Sequence, residues 1–347
     1  MSVPNQKPSF HRTQLESGGA VLAPMAGFSD APFRLLCREY GAAWAVTEMV
    51  SSMGVVMNGK KSFEIGEPYE GEPNLIIQLF GSDPQIMAEA GAKLYEEFKP
   101  VALDINMGCP VPKIVKNGGG ACLLQTPDLA HDVIAALDKA VPIPVSAKIR
   151  LGWDKYNAIE VAKALEHGGA ASIALHGRTR AQAYSGQADW DKIEEVSSHL
   201  SIPLIGSGDV VSKTMFDERK HKASGIMIGR GAVGRPWIFQ EVLGGASLEL
   251  PEIVQLAYRH CLLNAEWYGE NTGMRQMRGV LPHYFKGFAG ANRVRQQITQ
   301  VLNLESVRVL FAEIFPEVSL ENVSMGAAFE GHRAATLDGH SAREKKV

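Results

Sequence analysis

Short, almost continuously apolar runs alternate with segments of helical periodicity about eight times between residues 20 and 245. The runs predict strands at 21–26, 44–48, 75–80, 102–106, 145–150, 172–176, 203–207 and 225–229. Runs without polar alternation belong to parallel strands covered on both faces. Between them, Met87, Ala90, Leu94 and Phe98 recur at helical spacing, as do Leu129, Val133, Ala136 and Leu137. Asp128 and Asp154 stand where helices would begin. Eight βα units in roughly 220 residues predict an α/β chain folded as a (β/α)8 TIM barrel, since a doubly wound sheet suits about six.

Strand signals stop near Gly245. Beyond it Ile253, Leu256, Ala257, Cys261 and Leu262 make one helical stripe, and Val301, Leu304, Val307, Leu310 and Phe311 another. The expected organisation is an N-terminal extension (1–19), a barrel (20–245), a smaller all-helical C-terminal domain (246–330) joined through Gly244 and Gly245, and a polar tail (331–347) without fixed structure.

Composition narrows the class only modestly. With 45% apolar and 21% charged residues over 347 positions, the chain reads as an ordinary globular protein. No stretch approaches the roughly 18 apolar residues of a membrane span, and residues 1–17 lack the apolar core of a secretory signal. Cys37, Cys109, Cys122 and Cys261 are scattered, without disulfide or metal-ligand spacing, so a reducing cytoplasm and no metal are expected. A net charge of −3 argues against wholesale coating by nucleic acid but permits a local basic surface.

Barrel active sites form where the strands end, so polar residues at those ends are the candidates. The first predicted strand ends in Pro24, Met25 and Ala26, small enough to let a flat ligand approach the backbone. The third carries Gln78, whose amide needs a partner in a core; a satisfied structural glutamine explains it equally well. The fourth leads through Asn106 to Cys109 and Pro110, with Lys113 and a glycine run at 118–120 behind, a loop able to open and close. Lys148 and Arg150 share a strand face, and His176, Arg178 and Arg180 follow the sixth strand, which suggests a mouth for an anion or nucleotide. The turns Ser207-Gly208-Asp209 and Gly229-Arg230 follow strands seven and eight, where barrels commonly bind phosphate through backbone N–H groups. A phosphorylated cofactor lying across these loops is the implied ligand.

The segments 104–110, 148–150, 176–180, 206–209 and 229–237 together resemble the tRNA-dihydrouridine synthase family in order and spacing, and the helical region resembles its RNA-binding domain more loosely. The resemblance implies an FMN barrel that reduces selected uridines of tRNA with NADPH. Position by position, it implies that Pro24, Met25 and Ala26 line the flavin, Gln78 and Lys148 bond its ring edge, and His176 lies beside it. Ser207, Gly208, Asp209, Gly229 and Arg230 then hold the phosphate, and Cys109 is the proton donor. Ser207 stands where the family usually has asparagine.

The chemistry agrees. Hydride delivery to uracil C6 leaves charge that an acid must quench at C5, and an ordinary thiol, with a pKa of about 8.5, carries its proton at neutral pH. The target base must leave its stack. Candidate tRNA contacts are Asn106, Lys113, Arg178 and Arg180 at the mouth, and Arg293 and Arg295 in the helical region beside Tyr284, Phe285 and Phe288. Those aromatic residues fit helix core as well as base stacking. Two competing readings are a flavin barrel acting on a small carboxylate, as dihydroorotate dehydrogenases do, and a non-catalytic RNA-binding module.

Overall fold

The computed structural model describes residues 10–15, 19–288 and 290–328. The tail expected at 331–347 lies outside the described residues, as do 1–9 and 16–18 of the expected extension. Eight strands form: β1 (Ala20–Leu22), β2 (Val46–Ser51), β3 (Ile76–Phe80), β4 (Ala102–Met107), β5 (Val145–Arg150), β6 (Ser172–His176), β7 (Leu204–Ser207) and β8 (Gly225–Ile228). Each is parallel to its neighbours in the order β1-β8-β7-β6-β5-β4-β3-β2. The ring closes where Leu22 bridges Ala45, with Leu22 N–H donating to Trp44 O at 3.0 Å and Ala43 N–H to Ala20 O at 2.9 Å. The fold is the (β/α)8 barrel expected.

Two strands differ from the sequence pattern. β1 stops early: its last ladder bond runs from Ala23 N–H to Ile228 O, and Pro24 has no N–H to extend it. β2 starts later and runs further, with a register shift against β3 between Val46 and Met49. The helices Pro84–Phe98 and Pro127–Ala140 bury Met87, Ala90 and Leu94, and Val133, Ile134 and Leu137. Asp154 does not begin a helix; the next one starts at Ala158, after Asn157.

Side chains alternate across each strand, which separates two apolar layers. One lies between the strands and the surrounding helices; the other fills the barrel with Val21, Val46, Ile76, Ala102, Ala174, Ile205 and Met227. His11, on a short helix (Phe10–Leu15) within the expected extension, meets Trp44 at 5.7 Å and lines the same interior cavity as Asp104, Ser146 and Ser172.

Helices Leu250–Tyr268, Glu270–Val280, Ala291–Ile298 and Leu304–Ile314 follow the barrel. The helical pattern expected up to residue 330 ends at Ile314, where Phe315 and Pro316 leave the helix. The core of these helices includes Leu35 and Leu36 of the first crossover helix, Ala31–Glu39, whose Phe33 and Cys37 belong to the barrel's outer layer. One helix thus serves two cores. Arg259 also reaches across to Glu39, at 2.7 Å.

His260 sits at this junction, stacked on Phe33 and bonded through Nδ1 to Tyr284 Oη at 2.9 Å. Burial lowers its pKa to about 3, and that of His11 to about 4. An unfolded histidine titrates near 6.5, so below that pH the unfolded chain takes up protons that the native imidazoles refuse. Stability should therefore fall as pH drops from 6.5, by up to about 1.4 kcal/mol per pH unit for each histidine. His260→Gln should make the loss of urea midpoint between pH 6.5 and 5 shallower than in the parent; equal slopes would show that His260 is protonated in the native state.

Candidate active site

The strand ends gather the polar residues on one face, and cross-strand register fixes which of them meet. Gln78, Asp104, Ser146 and Ser172 lie side by side on β3 to β6; Asn106 and Lys148 pair one step higher, and Arg150, His176 and Ser207 pair above them. All share the inward side of their strands.

Cys109 stands on the loop after β4, partly exposed. Asn106 Oδ1 accepts the N–H groups of Cys109 (2.9 Å) and Gly108 (3.2 Å), and Ala121 N–H donates to Cys109 O at 3.1 Å. Gly120, at φ +60°, makes that closure possible, since a Cβ there would lie 2.8 Å from Cys109 O. The loop is therefore pinned at both ends, with a helical turn, Pro112–Val115, between, rather than the free flap that its glycine run suggests. Asn106 is 9% exposed and engaged on both ends of its amide, so it organises the thiol loop instead of facing RNA.

Lys148 is the unpaired cation. Among the described residues its ammonium has no ion-pair or hydrogen-bond partner, and burial, helped by the nearby Arg150, lowers its pKa to about 8. Arg150 shares its strand face but is not free. Its guanidinium donates to Gly108 O (2.8 Å), Thr179 O (3.0 Å) and Ala183 O (2.8 Å), stapling the thiol loop to the loop after β6.

Arg178 departs furthest from expectation. It is 2% exposed and gives two bonds to Asp209, at 3.0 and 2.7 Å, others to Ser185 O and Gly186 O, and one to His176 Nε2 at 3.2 Å. A guanidinium only donates, so Nε2 is the acceptor and His176 carries its proton on Nδ1. Burial first, then Lys148, Arg150, Arg178 and Arg230, push the His176 pKa down to about 2, so it stays neutral. Arg178 is a structural cation rather than a tRNA contact.

The turns after β7 and β8 are adjacent because those strands pair. Gly208 takes φ +134° and Asp209 φ +55°, positive-φ backbone of the kind that anion-binding turns use. Among the described residues the N–H groups of Gly208, Asp209, Gly229 and Arg230 donate to no backbone acceptor. The Asp209 carboxylate faces Arg178, Ala188 N–H (2.8 Å) and Arg230 (3.1 Å). Burial opposes its ionisation, but these bonds and charges prevail and hold its pKa below the usual carboxylate range. Any anion here would meet backbone amides and Arg230, not the carboxylate.

Gln78 is satisfied in the barrel, between Asp104 and Asn106. Pro24 and Met25 are half-buried and Ala26 exposed on the loop after β1, where Gly27 N–H donates to Glu48. Residue-by-residue reading overlooked Glu48, Asp104 and Tyr184. Tyr184 is exposed, with Arg230 at 4.7 Å and Arg150 at 5.5 Å from its ring. The alternation along β4, with Asp104 two residues before Asn106, was the available signal for Asp104.

Of the remaining cations, Lys113 and Arg293 are exposed, and Arg180 lies over the Trp153 ring at 4.3 Å. Arg295 is half-buried and bonded to Phe285 O at 2.9 Å. Tyr284 and Phe285 are core: Phe285 stacks on Phe315 at 5.7 Å and meets Phe311 at 5.4 Å. Buried in this way, they do not stack on bases.

The chain matches the family model described as dihydrouridine synthase over residues 21–318. It is 39% identical over 310 residues to the tRNA-dihydrouridine synthase B of Vibrio vulnificus, covering 85% of this chain and 96% of that protein. The corresponding protein of Vibrio cholerae is 40% identical over 293 residues, covering 81% and 90%. A probable tRNA-dihydrouridine synthase of Aquifex aeolicus is 34% identical over 301 residues, covering 84% and 94%.

Asp209→Asn should leave the Arg178 guanidinium buried without its counter-charge, destabilising the protein by about 3 kcal/mol. Chemical denaturation checks this; a change within about 0.5 kcal/mol would show that the carbonyls of Ser185 and Gly186 suffice to hold it.

Proposed function

The chain belongs to the dihydrouridine synthase family, and we propose that it is a flavin-dependent oxidoreductase that reduces the C5–C6 bond of selected uridines in tRNA, with NADPH as reductant, in the cytoplasm. The observation that carries this reading is the mouth itself. A thiol loop, a lysine without a partner among the described residues and two turns whose N–H groups donate to no backbone acceptor stand at the strand ends of one rim.

These features fit FMN. A phosphate suits the amides of Gly208, Asp209, Gly229 and Arg230 together with the exposed Arg230 guanidinium, and Ser207 would add its hydroxyl. Lys148 and Gln78 would meet the ring edge, His176 its flank, and Pro24, Met25 and Ala26 its face. The bound flavin would supply the hydride. His176, being neutral, adds no charge to a mouth already rich in cations. Lys148 would favour an anionic reduced ring, and an anionic neighbour would oppose the lowering of its pKa that burial causes.

Cys109 Sγ holds the proton destined for uracil C5. Asn106 and Arg150 fix the loop that carries it, and the partly exposed thiol is open to a base turned out of the RNA stack. Lys113, Arg180 and Arg293, with Arg295 more weakly, are left to contact phosphates. The decisive experiment incubates FMN-loaded protein with unmodified tRNA and NADPH and measures dihydrouridine. Its absence, with turnover of a small carboxylate substrate instead, would overturn the proposal.

Cys109→Ala should retain FMN and its reduction by NADPH while uridine reduction falls by about 10²–10⁴; single-turnover measurement of both half-reactions checks this, and near-parent product formation removes the thiol from the role of acid. FMN affinity should be flat up to pH 8 and then weaken, by up to about tenfold per pH unit, as Lys148 loses its proton in the free protein. Fluorescence titration should show that decline in the parent and not in Lys148→Met; the same decline in both would assign it to another group.

A further inference from the structure

Buried polar side chains form an unbroken chain from the middle of the barrel to the thiol loop. Ser146 Oγ donates to Asp104 Oδ1 at 2.6 Å, and Gln78 Nε2 to Asp104 Oδ2 at 2.7 Å. Asn106 Nδ2 donates to Gln78 Oε1 at 2.9 Å, and Asn106 Oδ1 accepts from Cys109 N–H and Gly108 N–H. Gln78, Asp104, Asn106 and Ser146 are each no more than 9% exposed, so solvent does not readily replace a missing partner.

The direction of every bond is forced. The backbone N–H groups of Cys109 and Gly108 only donate, and at the other end the Asp104 oxygens accept from Ser146 and Gln78, although burial raises the Asp104 pKa. Between those two ends, each amide must turn its NH₂ toward Asp104 and its oxygen toward Cys109. Reversing either amide sets like against like along the chain. The two ends therefore demand the same orientation, and each reinforces the other.

We infer that Asp104 is a positioning residue for the thiol: held by Ser146, it orients the Gln78 and Asn106 amides and thereby fixes the acceptor that ties down the Cys109 backbone. Its bearing on catalysis rests on the reading of Cys109 as proton donor; its bearing on thiol geometry does not. Orientation rather than charge is what it transmits. The Ser146 hydroxyl can rotate, since Leu103 O lies 3.5 Å away as an alternative acceptor. Asparagine at 104 could then give its N–H to Ser146 and keep its oxygen toward Gln78.

The test is the rate at which iodoacetamide alkylates Cys109, read by mass spectrometry in a Cys122→Ser background; Cys37 and Cys261 are buried. Asp104→Ala should free the loop and raise the rate about tenfold, and lower kcat on tRNA at least as much with KM within twofold. Asp104→Asn should stay within twofold of the parent in both. Should Asp104→Ala not fold, Asp104→Asn with Ser146→Ala replaces it. There the new amide loses the hydroxyl that accepted its N–H and turns toward Gln78, so the rate should rise while each single change leaves it unaltered. A parent-like rate in folded Asp104→Ala or in the double variant overturns the inference, as does Asp104→Asn matching Asp104→Ala. If the rates change as expected but even the parent fails to reduce tRNA, the positioning role stands and the proposed function falls.

Discussion

Closing eight parallel strands into a ring is the constraint on which everything else rests. Because each strand runs the same way, every strand end opens onto one rim, and every second side chain points into one narrow interior. Polar groups placed there are neighbours whether or not they are near in sequence. Asp104, Ser146 and Gln78 come from three strands and are in contact because register leaves them no choice.

The same crowding explains how the rim tolerates so many cations. Arg150 and Arg178 are held by backbone carbonyls and, for Arg178, by Asp209, so their charge is satisfied within the protein. His176 relieves the field by staying neutral. Among the described residues Lys148 has no hydrogen-bond or ion-pair partner, and burial lowers its pKa. An anionic ligand would complete this balance.

Much of the fold was legible in the sequence because buried parallel strands write themselves as apolar runs, and a run such as 145–150 is hard to mistake for anything else. The misreadings are equally physical. Pro24 ends β1 by lacking an N–H, although the apolar run continues past it. Arg178 reads as a free cation, and nothing local to it announces that Asp209, 31 residues on, will neutralise it. Tyr284 and Phe285 lie among basic residues in sequence yet face Trp237 and Phe315 in space, because helical packing and not composition decides which side is wet. The candidate site was visible as a set of strand ends; the internal wiring between them was not, since hydrogen-bond direction has no one-dimensional signature.

The helix Ala31–Glu39 carries a consequence for how such a molecule can change. It is a party wall: Phe33 and Cys37 belong to the room on one side, Leu35 and Leu36 to the room on the other. The helical region also touches the rim loops directly: Phe28, after β1, meets His283 at 6.0 Å, and Gly234, after β8, packs on the backbone of His283 and Tyr284. Lengthening the connector at Gly244 and Gly245 would leave those contacts and the shared helix in place, so new RNA shapes would have to be met by altering the helical surface itself.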